Sequence, residues 1–370
     1  MRPALAPLPL DRAAGREPAP RVPRRWLGIT LSPLALRRIE RFRRNRRGRI
    51  SLWILLTLFG VSACAELIAN DVPLVVSHRG ELYWPLLHAY PETTFGGVFP
   101  TEAEYRDPQV QALIESQGGW MLWPPVRYDY TTLDLYLETP APAPPSARHW
   151  LGTDDVGRDL FARLLYGFRL SLVFGILLTL CSSAIGVTAG AIQGYFGGWI
   201  DLLFQRGIEV FSGLPVLFLL IILASVVEPS FGWLLGLLLL FSWIALVGVV
   251  RAEFLRARKL DYVRAARALG TSDWTIMRRH VLPNATVATL TFLPFLLAGS
   301  ITTLTALDFL GLGLPIGSAS LGEVLQQGKG NLWAPWIGLA AFSTLAVLLI
   351  LIIFVSEAVR DAFDPRKQLR

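Results

Sequence analysis

Six apolar stretches, each close to 20 residues long, dominate this chain: 50–69, 171–193, 208–227, 231–250, 286–308 and 335–356. A bilayer core about 30 Å thick is crossed by about 20 residues of α-helix, since each residue advances the helix by about 1.5 Å. Composition agrees, with 53% of residues hydrophobic and 17% charged and a mean hydropathy of +0.46. That hydrophobic excess needs lipid to face. The expected fold class is an all-α membrane protein with six transmembrane helices.

Charge orients the spans. Residues 1–50 carry fourteen Arg against Asp11, Glu17 and Glu40, a net of +11. Such an arm suits nucleic acid or an anionic membrane surface, and its direct run into apolar sequence at Ile50 selects the membrane. No nucleic-acid partner is expected. The stretch 251–283 nets +5, whereas 70–160 holds thirteen acids and five Arg, a net of −8. Positive loops stay on the cytoplasmic side. Both termini and 251–283 are therefore expected in the cytoplasm, 70–160 outside, and the chain in the bacterial inner (plasma) membrane. Six crossings return the chain to its starting side, which agrees.

Residues 1–30, rich in Pro, Ala and Arg and without the apolar core of a signal peptide, read as a disordered cytoplasmic tail. Over 31–49, Leu31, Leu34, Ala35, Ile39 and Phe42 recur at helical spacing opposite Arg37, Arg38, Arg41, Arg43 and Arg44. That pattern fits an amphipathic interfacial helix; a simple stop-transfer cluster explains the same residues. The remaining divisions are transmembrane helix 1 at 50–69, an extracytoplasmic insert at 70–160, a core with five spans at 161–358 that holds the cytoplasmic loop 251–283, and a cytoplasmic tail at 359–370.

The insert carries too many aromatic residues, from Tyr83 and Trp84 to Tyr130 and Tyr136, for a disordered loop, so an ordered cap is expected. It ends in the Pro-rich linker 140–145 and the motif Gly152, Thr153, Asp154, Asp155, Val156, Gly157, Arg158, Asp159. Two readings apply: a turn with Thr153 capping the next helix and the acids paired with Arg158 and Arg163, or a cation site on Asp154, Asp155 and Asp159. The structural reading is preferred.

Within the spans, Gly186, Ala189, Gly190 and Gly194 provide the small-residue spacing that lets helices approach closely. Pro215 and Pro294 interrupt apolar runs and are expected to kink them. Glu66, Asp308 and Glu209 fall near span ends, within reach of water, and Cys64 and Cys181 read as packing residues. No metal-ligand spacing, Gly-x-Ser-x-Gly turn or phosphate-binding Gly-x-x-x-x-Gly-Lys-Ser/Thr loop occurs. No catalytic residue, metal or cofactor is expected on this chain.

The most informative segment is 261–283. Ala265, Ala266 and Ala268 favour a helix and leave room for a partner, Gly270 permits a sharp turn, and Pro283 is expected to stop the second piece before the fifth span. A short helix and turn held between two spans suits a groove in a soluble partner. Ala265, Ala266, Gly270, Leu282 and Pro283 match in spacing the signature of inner-membrane permeases of ATP-binding-cassette importers, while Arg264 and His280 replace its Glu and Ile. The sequence resembles that family. Leu151 to Asp159, Tyr166 to Ser171 and Phe309 to Gly313 are similar to dipeptide and oligopeptide permeases, and Ser77 to Tyr83 with Tyr90 to Gly97 resemble the Yej-type oligopeptide and microcin C subgroup.

That resemblance implies the six-helix type I importer fold, coupling to an ATPase through Tyr262, Arg264, Ala265, Ala266, Gly270, Leu282 and Pro283, and a structural role for Gly152, Thr153, Asp154, Gly157, Arg158 and Asp159. It also implies a second related permease, ABC ATPase subunits that bind ATP and magnesium, a soluble substrate-binding protein, and a peptide substrate. An ion-gradient-driven secondary transporter is the alternative, and inverted repeats with polar mid-membrane residues would mark it.

Overall fold

The computed structural model describes residues 25–26, 29–30, 33–224 and 226–363. The expected tail at 1–30 and the end of the tail at 359–370 lie largely outside these residues. Arg25–Trp26 (β1) and Ile29–Thr30 (β2) nevertheless pair as a short antiparallel ribbon.

The amphipathic segment forms helix α1, Pro33–Arg44, against the C-terminal helix, with the Arg38 guanidinium 4.7 Å above the Phe363 ring. The first expected span is shifted: α2 covers Arg46–Ala63, taking Arg46, Arg47 and Arg49 into its first turn, and stops at Cys64 before a single turn, α3, Ala65–Ile68. Asn45 sets that start by accepting a hydrogen bond from the Gly48 amide at 3.1 Å.

Between α3 and the next long helix the chain builds a small module. Strands β3 (Val75–His78), β4 (Glu81–Tyr83) and β5 (Trp120–Leu122) form an antiparallel sheet in the order β4-β3-β5, joined by a 3₁₀ turn at Glu92–Phe95 and helix α4, Pro108–Ser116. Val76, Phe95, Ala103, Tyr105, Val110 and Ile114 are its buried core. Phe95 meets Tyr83, His78 and Tyr105 edge to face at 5.4–5.6 Å, the favoured geometry for aromatic pairs.

Helices follow: α5, Leu160–Phe196; α6, Gly198–Gly213; α7, Val216–Ala224; α8, Phe231–Ser242; α9, Ile244–Ala257; α10, Asp261–Ala268; α11, Asp273–Thr275; α12, Leu282–Phe309; α13, Leu321–Gly330; and α14, Pro335–Phe363. Among the described residues four helical stretches are long and apolar enough to cross a bilayer: α5 (Leu160–Phe196), α8 with α9 (Phe231–Ala257), α11 through α12 (Asp273–Phe309) and α14 (Pro335–Phe363). A fifth arises if α6 and α7, bent by 67° at Pro215, count as one. At Pro294 the helix is not broken, since α12 continues on both sides of it. Pro283 also ends nothing: a π-helical turn, Ile276–Val281, carries α11 into α12, and Pro283 sits in the first turn of α12, where its missing N–H costs least.

Helix α5 is the central pillar. One flank packs Leu164, Phe168 and Leu172 against Ile301, Leu321, Ile337 and Ala341 of α12, α13 and α14. Further along, Gly186, Gly190 and Gly194 lie on the α9 backbone, where an added Cβ would stand 2.4 Å, 2.8 Å and 2.5 Å from the carbonyls of Trp243, Val247 and Arg251. Any side chain at these three positions would push the two helices apart. Cys64 and Cys181 are exposed rather than packed. Asp308, expected near water, is buried and bonded to the Ser320 hydroxyl and the Leu314 amide.

Candidate functional site

Two charged regions stand at opposite ends of α5. At its N-terminal end, the motif 152–159 is a tight turn, with Gly152 and Gly157 at φ +82° and +94°. The helix cap is Asp159, whose carboxylate accepts from the Ala162 amide at 2.8 Å; Thr153 instead accepts from the Ala143 amide at 2.8 Å and ties the Pro-rich linker down. Asp154 folds the turn around itself by accepting from the amides of Val156 and Arg158. Its other oxygen pairs with Arg158 at 2.6 Å and Arg163 at 3.5 Å, and both guanidinium groups also reach Glu323 of α13 at 3.2 Å. Arg163 donates further to the Ser318 carbonyl at 3.0 Å. Its side chain is 0% exposed, so its charge is held by these partners together with the Tyr130 carbonyl at 3.4 Å.

A second chain of contacts ties the β-sheet module to the same turn. His149 sits between Asp159 (Nδ1, 2.8 Å) and Asp134 (Nε2, 3.2 Å), while Tyr128 donates to Asp134 at 2.8 Å and lies under the Arg106 guanidinium. Burial alone would push His149 down, but the two carboxylates outweigh it and raise its pKa above the ordinary 6.5. Burial would raise Asp134, yet its bonds from Tyr128, the Tyr136 amide and His149 hold it below the usual carboxylate range. Burial and that carboxylate push the Tyr128 hydroxyl up to about 12. Asp155 is half-buried, and partial burial beside the Asp154 charge raises it as well. Among the described residues no group of three His, Cys, Asp or Glu is placed to hold a metal. Asp154 and Asp159 are engaged by arginines, His149 and backbone amides.

At the C-terminal end of α5 stands the segment 261–283. Val263 is the only residue of α10 that is fully buried; it packs with Phe254, Ala257, Ile276, Met277 and Val281, and Ala266 rests partly on the same cluster. Tyr262, Arg264, Ala265, Ala268 and Leu269 face outward. Gly270, at φ +78°, closes the helix in a Schellman motif: its amide bonds the Arg267 carbonyl at 3.0 Å and the Thr271 amide bonds the Ala266 carbonyl at 3.1 Å. An added Cβ at Gly270 would meet nothing within 4 Å. Leu282 is half-buried and Pro283 exposed, and Asn284 donates to the Tyr262 hydroxyl at 3.4 Å. The structure thus brings Tyr262, Arg264, Ala265, Ala266 and Gly270 together on one short exposed element braced by the π-helical turn.

Several participants carry no local sequence signal. Tyr195 donates to Asp273 at 2.5 Å and accepts from Arg267 at 3.0 Å, a tie across 78 residues. Glu323 lies 165 residues from Arg158. Arg251 clamps Asp201 of α6 with two bonds of 2.5 and 2.6 Å.

Comparison with known proteins decides the family. Residues 186–369 match the family described as "Binding-protein-dependent transport system inner membrane component". The Escherichia coli (strain K12) protein "Inner membrane ABC transporter permease protein YejE" is 60% identical over 337 residues, covering 91% of this chain and 98% of that relative. This chain belongs to the inner membrane ABC transporter permeases. The Agrobacterium fabrum "Peptidoglycan transport system permease protein YejE" is 52% identical over 98% of this chain and 100% of its own length. The Lactococcus lactis "Oligopeptide transport system permease protein OppC" is 34% identical over 65% of this chain and 82% of its own. As an ABC permease, the protein is a multi-pass inner-membrane transport subunit, and membership in this family sets aside the ion-gradient-driven alternative.

Proposed function

We propose that this permease is half of the translocation pathway of an ATP-driven importer for oligopeptides or peptide-like compounds, and that α10 with its Gly270 turn passes motion from an ATPase to the spans. The observation that carries this reading is the build of 261–283: a small-residue surface of Ala265 and Ala266 beside a Schellman turn, exposed on one side and rooted in buried Val263 on the other. The relatives' printed names support the cargo class, since they speak of oligopeptide and peptidoglycan transport; microcin C belongs to the same chemical class. The chain's partners in this reading are a second related permease, ATPase subunits that bind ATP and magnesium, and a soluble binding protein.

Six crossings complete the topology when α2 and the bent α6–α7 pair are both counted as spans. The β-sheet module then stands outside the cytoplasm, and both termini and 251–283 inside, in keeping with the charge asymmetry of −8 against +11 and +5. Gly152, Thr153, Asp154, Gly157, Arg158 and Asp159 are structural in this reading.

Two substitutions test the coupling role. Ala266→Trp adds bulk at the half-buried edge of this surface and Gly270→Val adds it on the exposed turn; both are expected to insert normally while co-purifying ATPase and peptide uptake fall at least about tenfold, the effect of ~1.4 kcal/mol lost in docking. Full ATPase association with full uptake in both variants would remove α10 from the coupling surface.

A further inference from the structure

We propose that the cleft behind α10 binds the phosphate-bearing headgroup of an anionic phospholipid. The cleft measures about 440 Å³, within the range of ligand sites, and its walls are Arg258, Lys259, Arg264 and Arg267, with Tyr195 and Phe196 at the end of α5 and Asp273 as the one acid. Four cations face one carboxylate, and Asp273 is already engaged by the Tyr195 hydroxyl and by Arg267 at 3.6 Å. Arg258 donates to the carbonyls of Tyr195 and Phe196 at 3.4 Å and makes no ion pair within 4 Å among the described residues, its nearest acidic influence being the more distant Asp201, which Arg251 already clamps. The side chains of Lys259 and Arg264 make no hydrogen bond or ion pair among the described residues. Like charges gathered this closely repel unless an anion enters, and a phosphate oxygen suits both Arg and Lys donors.

The place of the cleft selects a lipid over a free anion. It opens at the last residues of a 37-residue span, and the chain beyond it exposes Trp199 (85%) and Leu203 (73%). Trp at such a point is typical of a membrane interface, and an apolar chain beside a cationic wall matches an amphiphile better than a water-borne ion. This inference rests on the orientation in the preceding subsection, which puts 251–283 at the cytoplasmic face, where anionic lipid headgroups are presented.

The test uses the permease purified with its partner subunits and native mass spectrometry after incubation with phosphatidylglycerol, phosphatidylcholine or inorganic phosphate. The intact complex is expected to retain phosphatidylglycerol at least about fivefold over phosphatidylcholine, and inorganic phosphate is expected not to displace it. Lys259→Glu, with Lys259→Gln as the milder substitute where the reversal fails to insert, is expected to lower phosphatidylglycerol retention about fivefold and leave phosphatidylcholine unchanged. Equal retention in the variant overturns the proposal, as does displacement by inorganic phosphate, which would mark a small-anion site. Loss of the ATPase with lipid retention unchanged also overturns it, by giving the cleft to acidic side chains of the partner. The coupling reading fails separately: Ala266→Trp measured in the same way would then keep the ATPase, whatever lipid it retains.

Discussion

The two ends of α5 handle charge in opposite ways. At the N-terminal end, Asp154, Arg158, Asp159, Arg163, His149 and Asp134 are buried, and each is held by the others or by Glu323. At the C-terminal end, Arg264 and Lys259 are exposed, and Arg267 shares Asp273 with Tyr195. Desolvated charges must find partners inside the fold, because an unpaired one costs several kcal/mol, whereas exposed charges are stabilised by water until something displaces it. The first region is complete in itself and suits a fixed joint between the β-sheet module and the spans. The second is left open, as expected of a surface that meets partners.

The widest separation between the two should come from removing one cation at each end. Arg163→Met leaves Asp154 and Glu323 facing only Arg158 in a buried site, a change expected to cost about 3–5 kcal/mol and to show as lost expression or a strongly lowered Tm in detergent. Arg256→Met breaks a pair with Glu253 at 2.7 Å whose Arg side chain is 74% exposed, and the expected cost is about 0–1 kcal/mol. Comparable losses at both sites would mean that the N-terminal knot is not the structural joint described here.

This contrast also explains what could be read from the sequence. Apolar length and basic loops expose the spans because lipid thickness and charge act on local composition. Helix α10 was legible too, since Ala265, Ala266 and Gly270 state helix and stop within ten residues. Boundaries were less so: Arg46, Arg47 and Arg49 look like a loop by charge, yet long side chains let them occupy the first turn of α2. Pro283 looks like a terminator unless the preceding π-helical turn is known. Thr153 and Asp159 are both competent caps, and only the fold of the turn assigns the role to Asp159. Asp134 and Glu323 join the knot from distant segments, so no spacing rule reaches them.

A middle-sized effect should come from pH, and only at the buried end. His149 has a raised pKa in the folded protein, so its contribution is complete below the ordinary value of 6.5 and fades as pH rises through the raised value. Asp134 is lowered, so its contribution holds above the ordinary 3.8 and fades as pH falls through the lowered value. The link between the β-sheet module and α5 is therefore strongest between those limits and loosens on the alkaline side first. Hydrogen exchange at residues 128–134, corrected for intrinsic rate, is expected to quicken from pH 6 to pH 9 in the native protein. His149→Gln should be faster at pH 6, by a cost of about 1–3 kcal/mol, and flatter with pH. Identical profiles for both proteins would detach His149 from this joint, with Arg106, Tyr128 and Asp159 left as its remaining charged and titratable contacts.

The smallest effect is also the most discriminating for the open end. Gly270→Val changes two things together, a residue that strains at φ +78° and bulk on the exposed surface. Asn separates them, because its side chain tolerates the left-handed conformation and can take the C′ position of a Schellman motif, while no neighbour within 4 Å of an added Cβ would be displaced. Gly270→Asn is therefore expected to cost about 1 kcal/mol or less in stability and to keep α10 in place. If the turn's geometry is what the partner requires, uptake and co-purifying ATPase stay within about twofold of the native level. If the partner requires an empty surface at this point, Gly270→Asn should fail alongside Gly270→Val although its fold is intact. A Gly270→Asn protein with normal Tm and lost uptake would thus move the contact from the Ala265–Ala266 face onto the turn itself.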